Sequence, residues 1–215
     1  MEATMIPAIL TDDKIVTGPN HGEAFSKLNE LEKDGPIISG FLDCKNHKFI
    51  TDENQVIYLK EIIILRHGEA TEQENGPLTE LGRKQALLVA KFLASMPLQN
   101  FQGLHSPYKR CQETSAIIEQ NCQVHFTQCD NLSKRQDNET DFCERLIKTL
   151  DSIPERSILI THTDFIQNII QITHCVQSIG KITNCSITYI RKNKIIWLAR
   201  EIQCTEESKL TPESK

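Results

Sequence analysis

The chain alternates short apolar runs with longer stretches in which apolar residues recur every three or four positions. From residue 61 onward, the runs at 61–65, 102–105, 123–127 and 157–161 read as buried strands bounded by polar or turn residues. Between them, 79–95, 107–120, 138–151 and 164–174 carry helical spacing. The first of these helices has Thr79 as N-cap, turns Leu87, Val89, Ala90 and Leu93 inward, and stops before Pro97. In the second, Pro107 suits the first helical position, which makes Ser106 the N-cap. A hairpin over 185–191 and 194–201 closes the pattern. Apolar strands alternating with helices predict an α/β fold, a three-layer α/β/α sandwich around a mostly parallel sheet.

Residues 1–58 read differently. No arginine occurs before Arg66, and Gly18-Pro19 and Gly35-Pro36 punctuate the segment with turns. Strands are expected at 6–10, 37–42 and 48–50. A helix is expected over 22–32, with Phe25, Leu28 and Leu31 facing a small sheet. The organisation predicted is a small N-terminal α+β module over 1–58, serving as packing extension or recognition module, a main domain over 59–204, and a polar disordered tail over 205–215.

Polar chemistry gathers where the apolar strands stop. The run Glu61-Ile62-Ile63-Ile64-Leu65 ends in Arg66-His67-Gly68-Glu69, the strand at 102–105 leads to Arg110, and Ile158-Leu159-Ile160-Thr161 ends at His162. Ligand sites of open α/β sheets lie beyond the carboxyl ends of the strands. Two arginines and two histidines meeting there would bind and transfer a phosphoryl group without a metal.

The ordered set of motifs resembles the histidine phosphatase superfamily, the phosphoglycerate-mutase-like fold, over roughly residues 61–203. Arg66-His67-Gly68-Glu69 is similar to its nucleophile motif, Gly76-Pro77-Leu78-Thr79 with Gly82 to the loop and helix start that follow, and Ser106-Pro107 with Arg110 and Thr114 to its second-arginine motif. Ile160-Thr161-His162 resembles its second-histidine strand, and Asn184-Cys185-Ser186-Ile187 with Ile195-Ile196-Trp197 its closing hairpin.

The resemblance implies a phosphatase in which neutral His67 attacks phosphorus and becomes phosphohistidine, which water then hydrolyses. Arg66 and Arg110 would hold the phosphoryl oxygens as planar forks, and His162 would donate to the same oxygens. Gly68, without a Cβ, would let the backbone pass close to the substrate. Glu69 would orient the arginines.

This chain departs from the family where many members carry a proton-donating glutamate after the third strand; here the sequence reads Asn131-Leu132-Ser133-Lys134. Asp137, Glu139 and Asp141 downstream, and Asp130 just before, are the replacements to consider. Gln73 stands where larger members place an asparagine, and the insertions that build a mutase lid are missing, as in the compact phosphohistidine phosphatases. Without an acid, a protein phosphohistidine or a phosphoester with an acidic leaving group is favoured over sugar or glycerate phosphates. Two other readings remain: a phosphate-recognising regulatory protein with little turnover, and a small-metabolite phosphomutase or bisphosphatase. The intact quartet argues against the first, the missing lid and glutamate against the second.

Composition narrows this modestly. A formal charge of −5 and a pI near 5.8 give no global basic field for nucleic acid. The eight cysteines are scattered, with no Cys-x-x-Cys pair and no secretory leader, which predicts reduced thiols in a cytoplasmic, soluble protein. No stretch is long and apolar enough to span a bilayer. No cofactor or metal is expected: the pair His162 and Asp164 lacks further ligands at suitable spacing. The partner expected is a phosphorylated small molecule or phosphoprotein.

Overall fold

The computed structural model describes residues 5–10, 15–17, 23, 38–43, 48–53, 56–136, 138–174, 181–191 and 194–199. The main sheet is formed by β6 (Glu61–Arg66), β7 (Gln102–His105), β8 (Phe126–Gln128), β9 (Arg156–Thr161), β10 (Ile187–Arg191) and β11 (Lys194–Ala199). Its order is β11-β10-β6-β9-β7-β8, with β6, β9, β7 and β8 parallel and the β10–β11 hairpin antiparallel at one edge. Among the described residues, four helices link the strands: α1 (Glu80–Ala94), α2 (Lys109–Glu119), α3 (Glu139–Ser152) and α4 (Thr163–His174).

The period-2 geometry of β6 creates the layers. Ile62 and Ile64 pack with Phe142, Leu146 and Leu150 of α3 and Phe165, Ile166 and Ile169 of α4. Ile63 and Leu65 face the opposite way, onto Ala86, Val89, Ala90 and Leu93 of α1 and Cys111 and Ile118 of α2. A strand buried on both faces needs a continuous apolar run, which is why Ile62-Ile63-Ile64-Leu65 has no polar alternation. The expected α/β/α sandwich is therefore the observed one. Leu87, expected inside, is 39% exposed on the outer face of α1.

The chain leaves β6 in one direction across the sheet and leaves β9, its parallel neighbour, in the other. The crevice between their carboxyl ends is the topological switch point at which open α/β sheets hold ligands.

The N-terminal segment forms a second, antiparallel sheet from β1 (Met5–Leu10), β2 (Ile15–Thr17), β3 (Ile38–Asp43), β4 (Lys48–Thr51) and β5 (Val56–Tyr58), in the order β2-β1-β3-β4-β5. The short strands β2 and β5 add to the three expected. The helix expected over 22–32 falls, except for Glu23, outside the described residues, as does the tail over 205–215. Between the sheets, Lys60 is buried and its ammonium donates to the carbonyls of Leu150, Asp151 and Ile153, at 2.5, 3.0 and 2.7 Å, at the carboxyl end of α3. Lys48 of β4 forms an ion pair with Asp151 at 2.5 Å. A cation at a helix C-terminus complements the helix dipole and occupies carbonyls the helix leaves open.

Candidate active site

The register of β6 and β9 pairs Arg66 with Thr161, so His67 and His162 are the next residues out on adjacent strands. The N–H of His67 still bonds the carbonyl of Thr161, at 3.1 Å, and the two imidazole centroids lie 5.2 Å apart. Arg110 reaches the same point from the first turn of α2. Its Nε donates to Nε2 of His67 at 3.1 Å, one terminal nitrogen donates to Nδ1 of His162 at 3.2 Å, and the other to the carbonyl of Glu74 at 2.8 Å. The guanidinium also lies over the Tyr108 ring, 4.6 Å from its centroid.

These bonds fix the tautomers, because arginine only donates. His67 accepts at Nε2 and therefore carries its proton on Nδ1, which donates to the carbonyl of Gly68 at 2.7 Å. His162 accepts at Nδ1, so its Nε2 proton goes to Ser106 Oγ at 2.9 Å. Both rings are held neutral. Burial pushes the His67 pKa down to about 3, with the positive charges of Arg110 and Arg66 adding to the effect. Burial likewise lowers His162 to about 2, helped by its neighbours His67, Arg110 and Lys134.

Arg66 donates to the carbonyl of Ile182 at 2.7 Å, while its buried Nε has no hydrogen-bond partner. Burial and the adjacent Arg110 lower its pKa, yet a guanidinium stays charged. The four residues Arg66, His67, Arg110 and His162 line one cavity of about 500 Å³, together with Glu72, Gln73, Glu74, Lys134, Asp164, Gln167 and Asn184.

Two glycines shape this corner for a reason other than substrate access. A Cβ on Gly68 would lie 2.6 Å from the Gly82 carbonyl oxygen, and one on Gly82 would lie 1.9 Å from that of Glu69. The nucleophile loop and the start of α1 touch backbone to backbone. Thr114 ties the loop to α2, accepting from the Gly68 N–H at 3.1 Å and donating to the Arg110 carbonyl at 2.7 Å.

Several expected roles are reassigned. Ser106 does not cap α2: the N-cap is Tyr108, without a side-chain cap bond, and the Ser106 hydroxyl instead accepts from His162. Glu69 does not orient the arginines; its carboxylate accepts from Thr79 Oγ1 at 2.7 Å, steadying the residue that caps α1. Glu139 is exposed and pairs with Arg135 at 3.4 Å, and Asp141 accepts from Asn138 at the start of α3 at 2.9 Å. Neither lines the cavity, because both carboxylates belong to the amino end of α3. Asp130 is likewise engaged locally, accepting from Gln128 at 2.9 Å. Asp137 lies outside the described residues. The cavity's carboxylates are instead Glu72, Glu74 and Asp164. Their loops are joined only by the fold, so sequence spacing carries no sign of it.

Residues 62–142 match the family model of the histidine phosphatase superfamily (branch 1). That segment carries Arg66, His67 and Arg110, and over it the chain is similar to the histidine phosphatase superfamily. No curated protein matches it. Among solved structures, SixA from Agrobacterium tumefaciens, assigned as a phosphohistidine phosphatase, is similar at 13% identity and a TM-score of 0.54, covering 68% of this chain and 100% of that one. The protein histidine phosphatase SixA complexed with tungstate follows at 16% identity and a TM-score of 0.51, covering 64% of this chain and 93% of that one. A mycobacterial glucosyl-3-phosphoglycerate phosphatase complexed with VO3 has 16% identity and a TM-score of 0.51, covering 61% and 92%. At such identities the likeness is one of fold. Among the described residues, no group of three or more His, Cys, Asp or Glu is placed to hold a metal ion, and no helix is long and apolar enough to cross a membrane.

Proposed function

We propose that this protein hydrolyses phosphomonoesters or protein phosphohistidine through a covalent phosphohistidine at His67, using arginine charge in place of a metal. The observation that carries this reading is the bond pattern around His67. With Nδ1 committed to the Gly68 carbonyl, the lone pair sits on Nε2, among guanidinium groups that attract a phosphoryl dianion. An incoming phosphoryl oxygen takes over the Arg110 donors and frees the lone pair for in-line attack. The unpartnered Nε of Arg66 supplies a further donor. Catalysis then rests on positioning and on charge already in place, as suits a loose phosphoryl-transfer transition state.

The substrate reading follows from the missing glutamate. A phosphohistidine or an aryl ester leaves more readily without a carboxylic acid than an alkyl phosphate does. The SixA likeness agrees with a protein phosphohistidine, and the open cavity admits a protein surface. The test is acid-quenched reaction with a labelled aryl phosphate in the presence of chelator. The expected result is turnover with label on His67 in an acid-labile bond; activity that vanishes with chelator, or an unlabelled protein during steady turnover, would remove the reading.

A further inference from the structure

Lys134 occupies the position from which the family's proton-donating glutamate is missing, and the structure brings its side chain to the wall of the cavity that holds His67. Its backbone is pinned on both sides. The Arg135 N–H donates to Asp164 Oδ2 at 2.5 Å, and Arg145 donates to the carbonyls of Ser133 and Asn131, at 3.0 and 2.7 Å. Asp164 is itself in the first turn of α4, two residues after His162, so the loop bearing Lys134 is tied to the strand end bearing the second histidine. The ammonium is close enough for its charge to act on His162.

Among the described residues lining the cavity, Lys134 is a cation with no hydrogen-bond or ion-pair partner. The guanidinium groups of Arg66 and Arg110 do not release protons, both histidine protons are engaged, and Asp164 is occupied by a backbone N–H, which leaves Lys134 and the loop carboxylates Glu72 and Glu74 as the proton-exchanging groups of the lining. Direction matters as well. His67 is buried, and Lys134, on a four-carbon stem, is an exposed residue of the same cavity lining, where a leaving group that departs towards solvent would pass within its reach.

Resting on the phosphatase reading above, we propose that Lys134 is the proton donor to the leaving group. In the first step the Nε2 lone pair of His67 forms the N–P bond, the P–O bond to the leaving group breaks with its electron pair on oxygen, and a Lys134 proton passes to that oxygen. In the second step water attacks phosphorus, the P–N pair returns to Nε2, and the neutral Lys134 amine takes the proton that water loses. The sum is ester plus water giving alcohol plus phosphate. An ammonium is a weaker acid than a carboxylic acid but a far stronger one than an alcohol, so the transfer is favourable once P–O cleavage is advanced. Alkyl phosphates therefore fall within the substrate range.

The experiment compares the parent protein, Lys134→Ala and Lys134→Arg on phosphate esters spanning aryl to alkyl leaving groups. The parent's turnover of the aryl ester, with label on His67, tests the phosphatase reading separately. Lys134→Ala is expected to lose about 100-fold in kcat on alkyl esters, within the usual range for general acid catalysis, and several times less on nitrophenyl phosphate, so that rate depends more steeply on leaving-group acidity. Lys134→Arg keeps the charge and should not rescue the alkyl esters, whereas added methylamine should restore part of their turnover in Lys134→Ala. A loss equal across the series, a change in KM alone, or full rescue by arginine would overturn the assignment.

Discussion

Arg110 and His67 are joined by a 3.1 Å hydrogen bond from the guanidinium Nε to the ring Nε2, and the same guanidinium holds His162 and the Glu74 carbonyl. One side chain thus sets the ring nitrogens, the strand-end spacing and the loop over 70–78. A lysine has no planar fork with which to do so. Arg110→Lys should cut kcat/KM on an aryl phosphate by well over tenfold, that is more than about 1.4 kcal/mol of transition-state stabilisation. Steady-state kinetics on the folded variant checks this; a loss below tenfold would place Arg110 outside the phosphoryl contacts.

His162 has no spare proton in the unliganded site, because its single N–H is given to Ser106. A phosphoryl dianion that draws the Arg110 donors away from Nδ1 favours a second proton there. Binding of phosphate or vanadate at neutral pH should therefore take up a proton from solution. Titration calorimetry in buffers of different ionisation enthalpy measures this, and buffer-independent heats would contradict it.

The depressed histidine pKa values bear on stability. Folded His67 and His162 stay neutral down to about pH 3 and 2, whereas an unfolded histidine takes a proton near pH 6.5. Below that pH the unfolded chain binds more protons, so stability is fully present above about 6.5 and falls as pH drops towards the folded values. Urea denaturation from pH 7 to pH 4 should show a decline that is shallower in His162→Asn. An identical pH slope in parent and variant would exclude a contribution from His162.

Gly82→Ala offers a test of the backbone contact beneath the nucleophile. In a free helix this change would stabilise by about 1 kcal/mol. Here the added carbon would sit 1.9 Å from the Glu69 carbonyl oxygen, so the nucleophile loop must move. The expected outcome is destabilisation by about 1–3 kcal/mol with reduced turnover, the range typical of overpacking. A more stable, fully active variant would show the contact to be compliant.

Lys60→Met should lower stability by about 2–3 kcal/mol, because the buried carbonyls of Leu150 and Ile153 at the end of α3 lose their donor. Thermal and urea unfolding measure the loss, and an aryl phosphatase assay on the folded fraction shows whether the catalytic end of the sheet is disturbed. An unchanged midpoint would mean water satisfies those carbonyls.

Much of the architecture was legible because it is locally encoded. The run Ile62-Ile63-Ile64-Leu65 can only be a strand buried on both faces, and the polar residues that interrupt it at Arg66 mark the ligand end. Thr79 was readable as a cap because its hydroxyl accepts from an N–H only three residues on, that of Gly82. Ser106 was not: the same local rule offered its own helix as partner, while a histidine fifty-six positions later took the hydroxyl. Leu87 carried the right spacing for either side of α1, and only the docking of that helix on β6 chose the side. The acid candidates failed for the opposite reason. Glu139 and Asp141 are near the expected position in sequence, but capping at Asn138 turns them along α3, whereas Lys134 needed the Asp164 contact to be placed.

The nucleophile strand is clasped by chain that a ribosome makes much later. The Ile182 carbonyl holds Arg66, and the Cys185 N–H, on a residue with φ of 57°, donates to the carbonyls of both Arg66 and His67. A nascent polypeptide that has emerged only as far as β9 and α4 carries both arginines and both histidines, yet Arg66 has no carbonyl to lean on and β6 lacks its β10 neighbour. The pocket around His67 is thus complete only once the last-made hairpin has been laid along the edge of the sheet.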